Sequence, residues 1–198
     1  DTGRVQSPSK GTGRFLGAEM AGPAAEQLAS TLLTAGELDG DWTINTGSPD
    51  ARLSPSGVLT DDQRDQLPTF DLCDDATPAS RAAAEGLRWK AFRQLDLKEQ
   101  DPIDPPADRV GHMIFVQQFL TSGTQSEVTA TFDLVRDGLQ ACLGDLPADE
   151  EGPGRAEAMK VPAVGDDRYG VLTTIEEAGG WAQWRLHNTI VRKGSVLM

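Results

Sequence analysis

The chain has 198 residues and carries 18 Lys and Arg against 31 Asp and Glu, a formal net charge of −13. That excess of carboxylates argues against a nucleic-acid binder, whose phosphate contacts need a basic footprint, and against direct adhesion to an anionic membrane face. The length suits one domain with a linker-like end, and no apolar run approaches the ~18 residues of a membrane span.

Residues 1–22, DTGRVQSPSKGTGRFLGAEMAG, are rich in Gly, Ser and Thr and are expected to be a linker, ordered at most by docking of Phe15 and Leu16. The domain is then expected over 23–198. Residues 23–33 predict a short helix with Pro23 in its first turn, and Thr34 with Glu37 forms a capping-box pattern for a further helical turn. Residues 46–70, with Pro49, Pro55, Pro68 and the acidic run from Asp61 to Asp65, predict a loop. Thr77 and Pro78 open a helix that Gly86 stops. A strand is predicted at 87–97, a proline-broken acidic turn at 99–109, and a β-rich central strand at 110–120.

Thr124 and Glu127 make another capping box. Val128, Phe132, Val135, Leu139 and Cys142 follow at steps of four and three, so all lie on one stripe of a long helix. An acidic Gly/Pro loop is predicted at 144–154, then strands at 156–163, 168–175 and 181–192, the last two joined by a hairpin-length turn at 176–180. In the final strand Ala182, Trp184, Leu186 and Ile190 share one face, and Gln183, Arg185, His187 and Thr189 the other. The order of elements is an α+β pattern: an antiparallel sheet with helices mainly on one face.

Cys73 and Cys142 are the only cysteines. Neither has a second Cys or His at ligand spacing, so a metal site is not expected, which leaves a disulfide or two free buried thiols. A bridge would close a loop of about 70 residues, worth roughly 4 kcal/mol in the chain-entropy model, and would place the protein outside the reducing cytosol.

Motifs for chemistry are sparse. Nucleophile elbows, zincin helices and phosphate loops are missing, so no catalytic residue and no cofactor is assigned. His112 falls in a buried strand and His187 on a polar strand face. Asp39, Asp41, Thr43, Asn45 and Asp50 echo a calcium loop, but Ile44 stands where Gly is needed and Asp50 where Glu is needed, so an acidic turn is the better reading. Asp61, Asp62, Asp65, Asp74 and Asp75 could serve acid–base chemistry only if at least one were desolvated. Trp42, Trp89 and Trp184 are expected in the core, while Trp181 at a hairpin end could line a cleft with Arg185 and Asn188.

Leu32-Leu-Thr-Ala-Gly-Glu-Leu38 followed by Asp-Gly-Asp-Trp42, Cys73 before a Pro-started helix, the strand around Phe115–Phe119, the long helix ending Gln140-Ala-Cys142, and Trp184-Arg185-Leu-His-Asn188-Thr-Ile-Val191 resemble a family of actinobacterial extracytoplasmic lipoproteins and sensor domains. The family includes the extracellular sensor domain of a mycobacterial receptor Ser/Thr kinase, and the resemblance spans about residues 30–198. It implies an α+β domain with a cleft over the sheet that binds an unidentified small molecule or cell-envelope component. Members carry two disulfides; Cys73 and Cys142 match the first, and the second has no counterpart here. No kinase domain is present, so a stand-alone lipoprotein is favoured. The chain starts at Asp1 without Met and ends in the apolar run Val196-Leu197-Met198, so both ends look like cuts, and a signal peptide and lipidated cysteine would have preceded residue 1.

The expected function is therefore a non-catalytic, exported, lipid-anchored ligand-binding or sensor domain. The alternatives are an extracytoplasmic hydrolase using the loop carboxylates, and an interaction protein recruiting partners through its acidic surface.

Overall fold

The computed structural model describes residues 21–45, 56–65, 67, 72–98, 114–146, 153–176 and 183–198, the last stretch without the side chains of Gln183 and Trp184. Residues 1–20 of the linker expected at 1–22, most of the proline-rich loop, residues 177–180 of the hairpin turn expected at 176–180, Asp50, His112 and Trp181 lie outside the described residues.

The strands are β1 (Trp42–Ile44), β2 (Ala91–Leu97), β3 (Phe115–Ser122), β4 (Gly144–Leu146), β5 (Gly154–Ala158), β6 (Asp167–Glu176), β7 (Gln183–Lys193) and β8 (Val196–Leu197). They form one eight-stranded sheet in the order β1-β2-β3-β8-β7-β6-β5-β4, antiparallel at every pairing. With the helices α1 (Ala25–Ala29), α2 (Asp61–Arg64), α3 (Pro78–Glu85) and α4 (Gln125–Ala141), this is an α+β fold with one disulfide.

α4 forms where its pattern says it should. The Thr124 hydroxyl accepts from Glu127 N–H, and the Glu127 carboxylate accepts from Thr124 N–H at 2.8 Å and from the Thr124 hydroxyl at 2.8 Å. These bonds from Thr124, backbone first, lower the Glu127 pKa below its ordinary value. Val128, Phe132, Val135 and Leu139 are all buried, and Cys142 is the C-cap. The four buried residues pack with Ala84 of α3 and with Ala156, Val171, Ile190 and Leu197 of the sheet.

α3 begins as expected, with Thr77 accepting from Ser80 N–H and Pro78 at the first position. It crosses α4 at Gly138, where a Cβ would sit 2.9 Å from the Ser80 Cβ. A glycine in a helix interior normally costs about 1 kcal/mol relative to Ala, but here it permits the crossing. Gly138→Ala is therefore expected to reverse the usual sign, lowering stability by about 1–2 kcal/mol as read from the urea midpoint.

The register shows where the helices sit. Leu197 lies opposite Thr121 and Arg192, so Leu197 and Ile190 share one face, the face of α4. Ala91 and Leu120 point to the other face, where they pack with Leu28, Ala29 and Leu32 of the α1 region. Leu59 and Leu67, flanking α2, cover Phe92 on the α4 side, where Phe119 stacks at 4.6 Å between ring centroids. α1 is thus the exception to a one-sided arrangement. Its trailing segment is tied down by Arg93 Nη1, which donates to the carbonyls of Leu32 (3.2 Å) and Leu33 (2.9 Å), and by Gln118 Oε1, which accepts from Leu33 N–H at 2.8 Å.

Several local expectations need correction. Asp61–Arg64 is a helical turn, not loop, because Thr60 and Gln63 form a capping box. Residues 144–146 and 154–158 are strands β4 and β5, so the predicted acidic loop narrows, and β5 ends at Ala158 instead of reaching 163. β1 and β8 also form, although three- and two-residue strands are too short to show alternation.

Candidate functional site

β6 and β7 pair over ten positions, from Asp167 opposite Arg192 to Glu176 opposite Gln183. At the α4 end of this ribbon Ile190, Val191 and Val171 are buried. Beyond it, every residue from Arg185 to Thr189 is exposed. Leu186, on the same strand face as Ile190, is 36 % exposed because no helix among the described residues reaches that far along the strand.

Of the three residues proposed to line a cleft, Trp181 lies outside the described residues. Arg185 pairs with Thr174 and Asn188 with Val171. Being three apart on one strand, they project from opposite faces, so the structure puts both on the bare stretch of β7 without bringing them to one pocket. His187 is exposed on the Arg185 face, opposite Leu172.

A shallow depression lies elsewhere. An open depression of about 340 Å³ lies where the chain crosses from β5 to β6, lined by Met159, Val161, Asp166, Asp167, Arg168, Tyr169 and Gly170. It is at the root of β6 and not over the open sheet face. Gly165, at φ +67°, turns the chain into it; a Cβ there would meet the Val191 Cγ1 at 2.6 Å. Behind the depression is Arg192, 9 % exposed. Its Nε donates to Asp167 Oδ2 at 2.7 Å, its Nη2 to the same oxygen, and its Nη1 to the Gly194 carbonyl at 3.3 Å. Asp166 Oδ2 accepts from Gly194 N–H at 2.7 Å and lies 3.5 Å from Arg192 Nη1. Burial pushes the Tyr169 hydroxyl above its ordinary pKa, so it enters the depression as a neutral hydrogen-bonding group. Both carboxylates are committed to Arg192, which leaves a cradle suited to small polar groups rather than to a cation.

Arg192 joins β6 to the β7–β8 turn. Arg192→Met keeps the stem but strands two carboxylates beside each other. It is expected to cost about 2 kcal/mol, because the carboxylates are half-exposed and partly rehydrate, and thermal unfolding measures this. The spacing of Asp166-Asp167 against Arg192 was the available sequence signal, but only the β6–β7 register makes it readable.

The five loop carboxylates are all exposed. Asp61 pairs with Arg64, and Asp74 lies 3.8 Å from Arg81. None is desolvated, so the acid–base pair of the hydrolase alternative is not formed by them. The calcium-like run is not a loop either: Thr43 is in β1, Asn45 Nδ2 donates to Asp96 Oδ2 at 2.6 Å, and Asp41 lies 3.5 Å from Lys98 Nζ. Among the described residues no group of three or more His, Cys, Asp or Glu converges on a metal position, and no helix is long and apolar enough to cross a membrane. Trp89 packs on Phe119 at 5.3 Å, and Trp42 is half-buried with its indole N–H donating to the Asp39 carbonyl.

The bridge between Cys73 and Cys142 is formed, with a Cα–Cα distance of 5.6 Å. It ties the segment before α3 to the C-cap of α4, and Cys73 N–H donates to Cys142 Sγ at 3.1 Å. No family model, curated protein or solved structure matches this chain.

Proposed function

We propose that the chain is an exported, lipid-anchored, non-catalytic ligand-binding or sensor domain acting at the cell envelope, of the kind it resembles in actinobacteria. The observation that carries this reading is the Cys73–Cys142 disulfide. Such bridges persist in oxidising compartments and are rare in the cytosol. The exposed stretch of β7 from Arg185 to Thr189 and the depression beside Tyr169 offer ligand-accessible surface, and the exposure of the five loop carboxylates removes the support for the hydrolase alternative.

The test is differential alkylation of the protein in its native host, quenched before lysis and followed by mass measurement. Cys73 and Cys142 are expected to resist the first alkylating agent and to react only after reduction, in protein recovered with the envelope fraction. Free thiols at both positions in native protein would overturn the reading.

A further inference from the structure

The depression at the root of β6 holds charges of both signs that are not paired with each other. Arg192 engages Asp166 and Asp167 through one oxygen of each, Oδ2 in both cases. Among the described residues no donor reaches Oδ1 of either carboxylate. Arg168 lines the same depression. Its Nε donates to the Val161 carbonyl at 3.4 Å, a long bond that keeps the guanidinium beside Val161. Nη1 and Nη2 have no acceptor among the described residues, and no described carboxylate pairs with Arg168, although Asp166 and Asp167 are its neighbours in the chain.

One wall is fixed by close packing. Met159 N–H donates to the Gly170 carbonyl at 2.9 Å. A Cβ on Gly170 would lie 2.6 Å from the Val161 Cγ2 and 3.0 Å from the Met159 Cγ, so these two side chains pack directly over Gly170. The volume of about 340 Å³ admits a small organic molecule. Asp166 to Arg168 spans about 7 Å of extended chain, so a compact ligand reaches both signs of charge. A lone cation is disfavoured, because Arg192 already neutralises much of the carboxylate charge, and a lone anion is disfavoured by the carboxylates themselves. A ligand with one charge of each sign matches the whole set.

We infer that this depression binds a small zwitterion of the α-amino-acid class, its carboxylate on the Nη donors of Arg168 and its ammonium on the free oxygens of Asp166 and Asp167. A guanidinium presents a planar fork that a carboxylate meets with two parallel bonds, and an ammonium carries three donors for the two Oδ1 atoms. Polar atoms dominate the lining, so the charged ends supply the affinity and a small side chain such as that of alanine suffices. The inference rests on the ligand-binding part of the reading above and names its ligand class.

The probe is L-alanine, titrated into the full chain and followed by amide chemical shifts, with N-acetylalanine and alaninamide as analogues that each lack one charge. Alanine is expected to shift the amides of Asp166, Arg168, Tyr169 and Gly170 with a Kd of about 1–10 mM, because the depression is open and both ends stay partly hydrated. Each analogue, and alanine with the Arg168→Gln variant, is expected to bind at least about tenfold more weakly. Arg168 is exposed and in no ion pair among the described residues, so this variant keeps its fold. Arg185→Gln, at an exposed arginine on β7, is the control and leaves binding unchanged. No shift at those amides by about 100 mM alanine overturns the proposal. So does equal binding of N-acetylalanine, which would reveal a carboxylate contact at Arg168 alone. Failure of alanine to bind a protein whose cysteines are bridged in its host would remove this ligand and leave the export reading, and binding by a protein with free cysteines would do the reverse.

Discussion

Phe132→Ala is expected to lower the unfolding free energy by about 4 kcal/mol, the cost of emptying a fully buried aromatic site. Phe132 is 1 % exposed and is the largest of the fully buried side chains. It sits mid-stripe on α4, with Val128 and Val135 a turn away on either side and Val171, Ile190 and Leu197 in the same cluster. Those neighbours are anchored by the paired strands β6, β7 and β8, so the site cannot collapse to fill the void, and the residual cavity adds to the lost transfer energy. For a chain of this length the melting temperature falls by about 10 °C. Leu134→Ala on the same helix is the contrast: Leu134 is exposed and its loss is expected to stay within about 0.5 kcal/mol. Equal effects of the two substitutions in a denaturant titration would contradict this placement of the core.

The second large effect is expected from the disulfide. Replacing Cys73 and Cys142 together by Ala frees a sequence separation of 69 residues. The chain-entropy model assigns that loop about 4 kcal/mol. The bridge does more than close a loop: it holds the segment before α3 against the end of α4, beside the Gly138 crossing that α3 and α4 share. The double variant is therefore expected to expose the α3–α4 contact first. Hydrogen exchange should accelerate at α3 amides while β6 and β7 amides change less. Uniform acceleration over the whole sheet would mean that the bridge acts only through the unfolded chain.

Sequence patterns of period 3.6 and local capping chemistry translated directly into structure. Thr124 with Glu127, Thr77 with Pro78, and the stripe from Val128 to Cys142 depend on residues within a few turns of each other, so α3 and α4 were legible. The capping box of Thr60 and Gln63 carried the same kind of signal and was obscured by the prolines around it. Alternation along β7 assigned the two faces of that strand, yet it could not say how far along the strand a helix would reach. Ile190 and Leu186 are equivalent by pattern; one is buried under α4 and the other is exposed.

By itself the sequence determined the acidic character of the chain, the α+β order of its elements, the long amphipathic helix and the two cysteines available for bridging. These follow from composition and from interactions local in sequence. Tertiary structure decided the rest: the pairing of Arg192 with Asp166 and Asp167, the placing of α1 on the face opposite α4, and the insertion of β8 between β3 and β7. The physical reason is that backbone pairing between strands distant in sequence leaves no periodic mark on either strand. Whether an edge is satisfied depends on which strand lies beside it, and only the completed sheet supplies that neighbour.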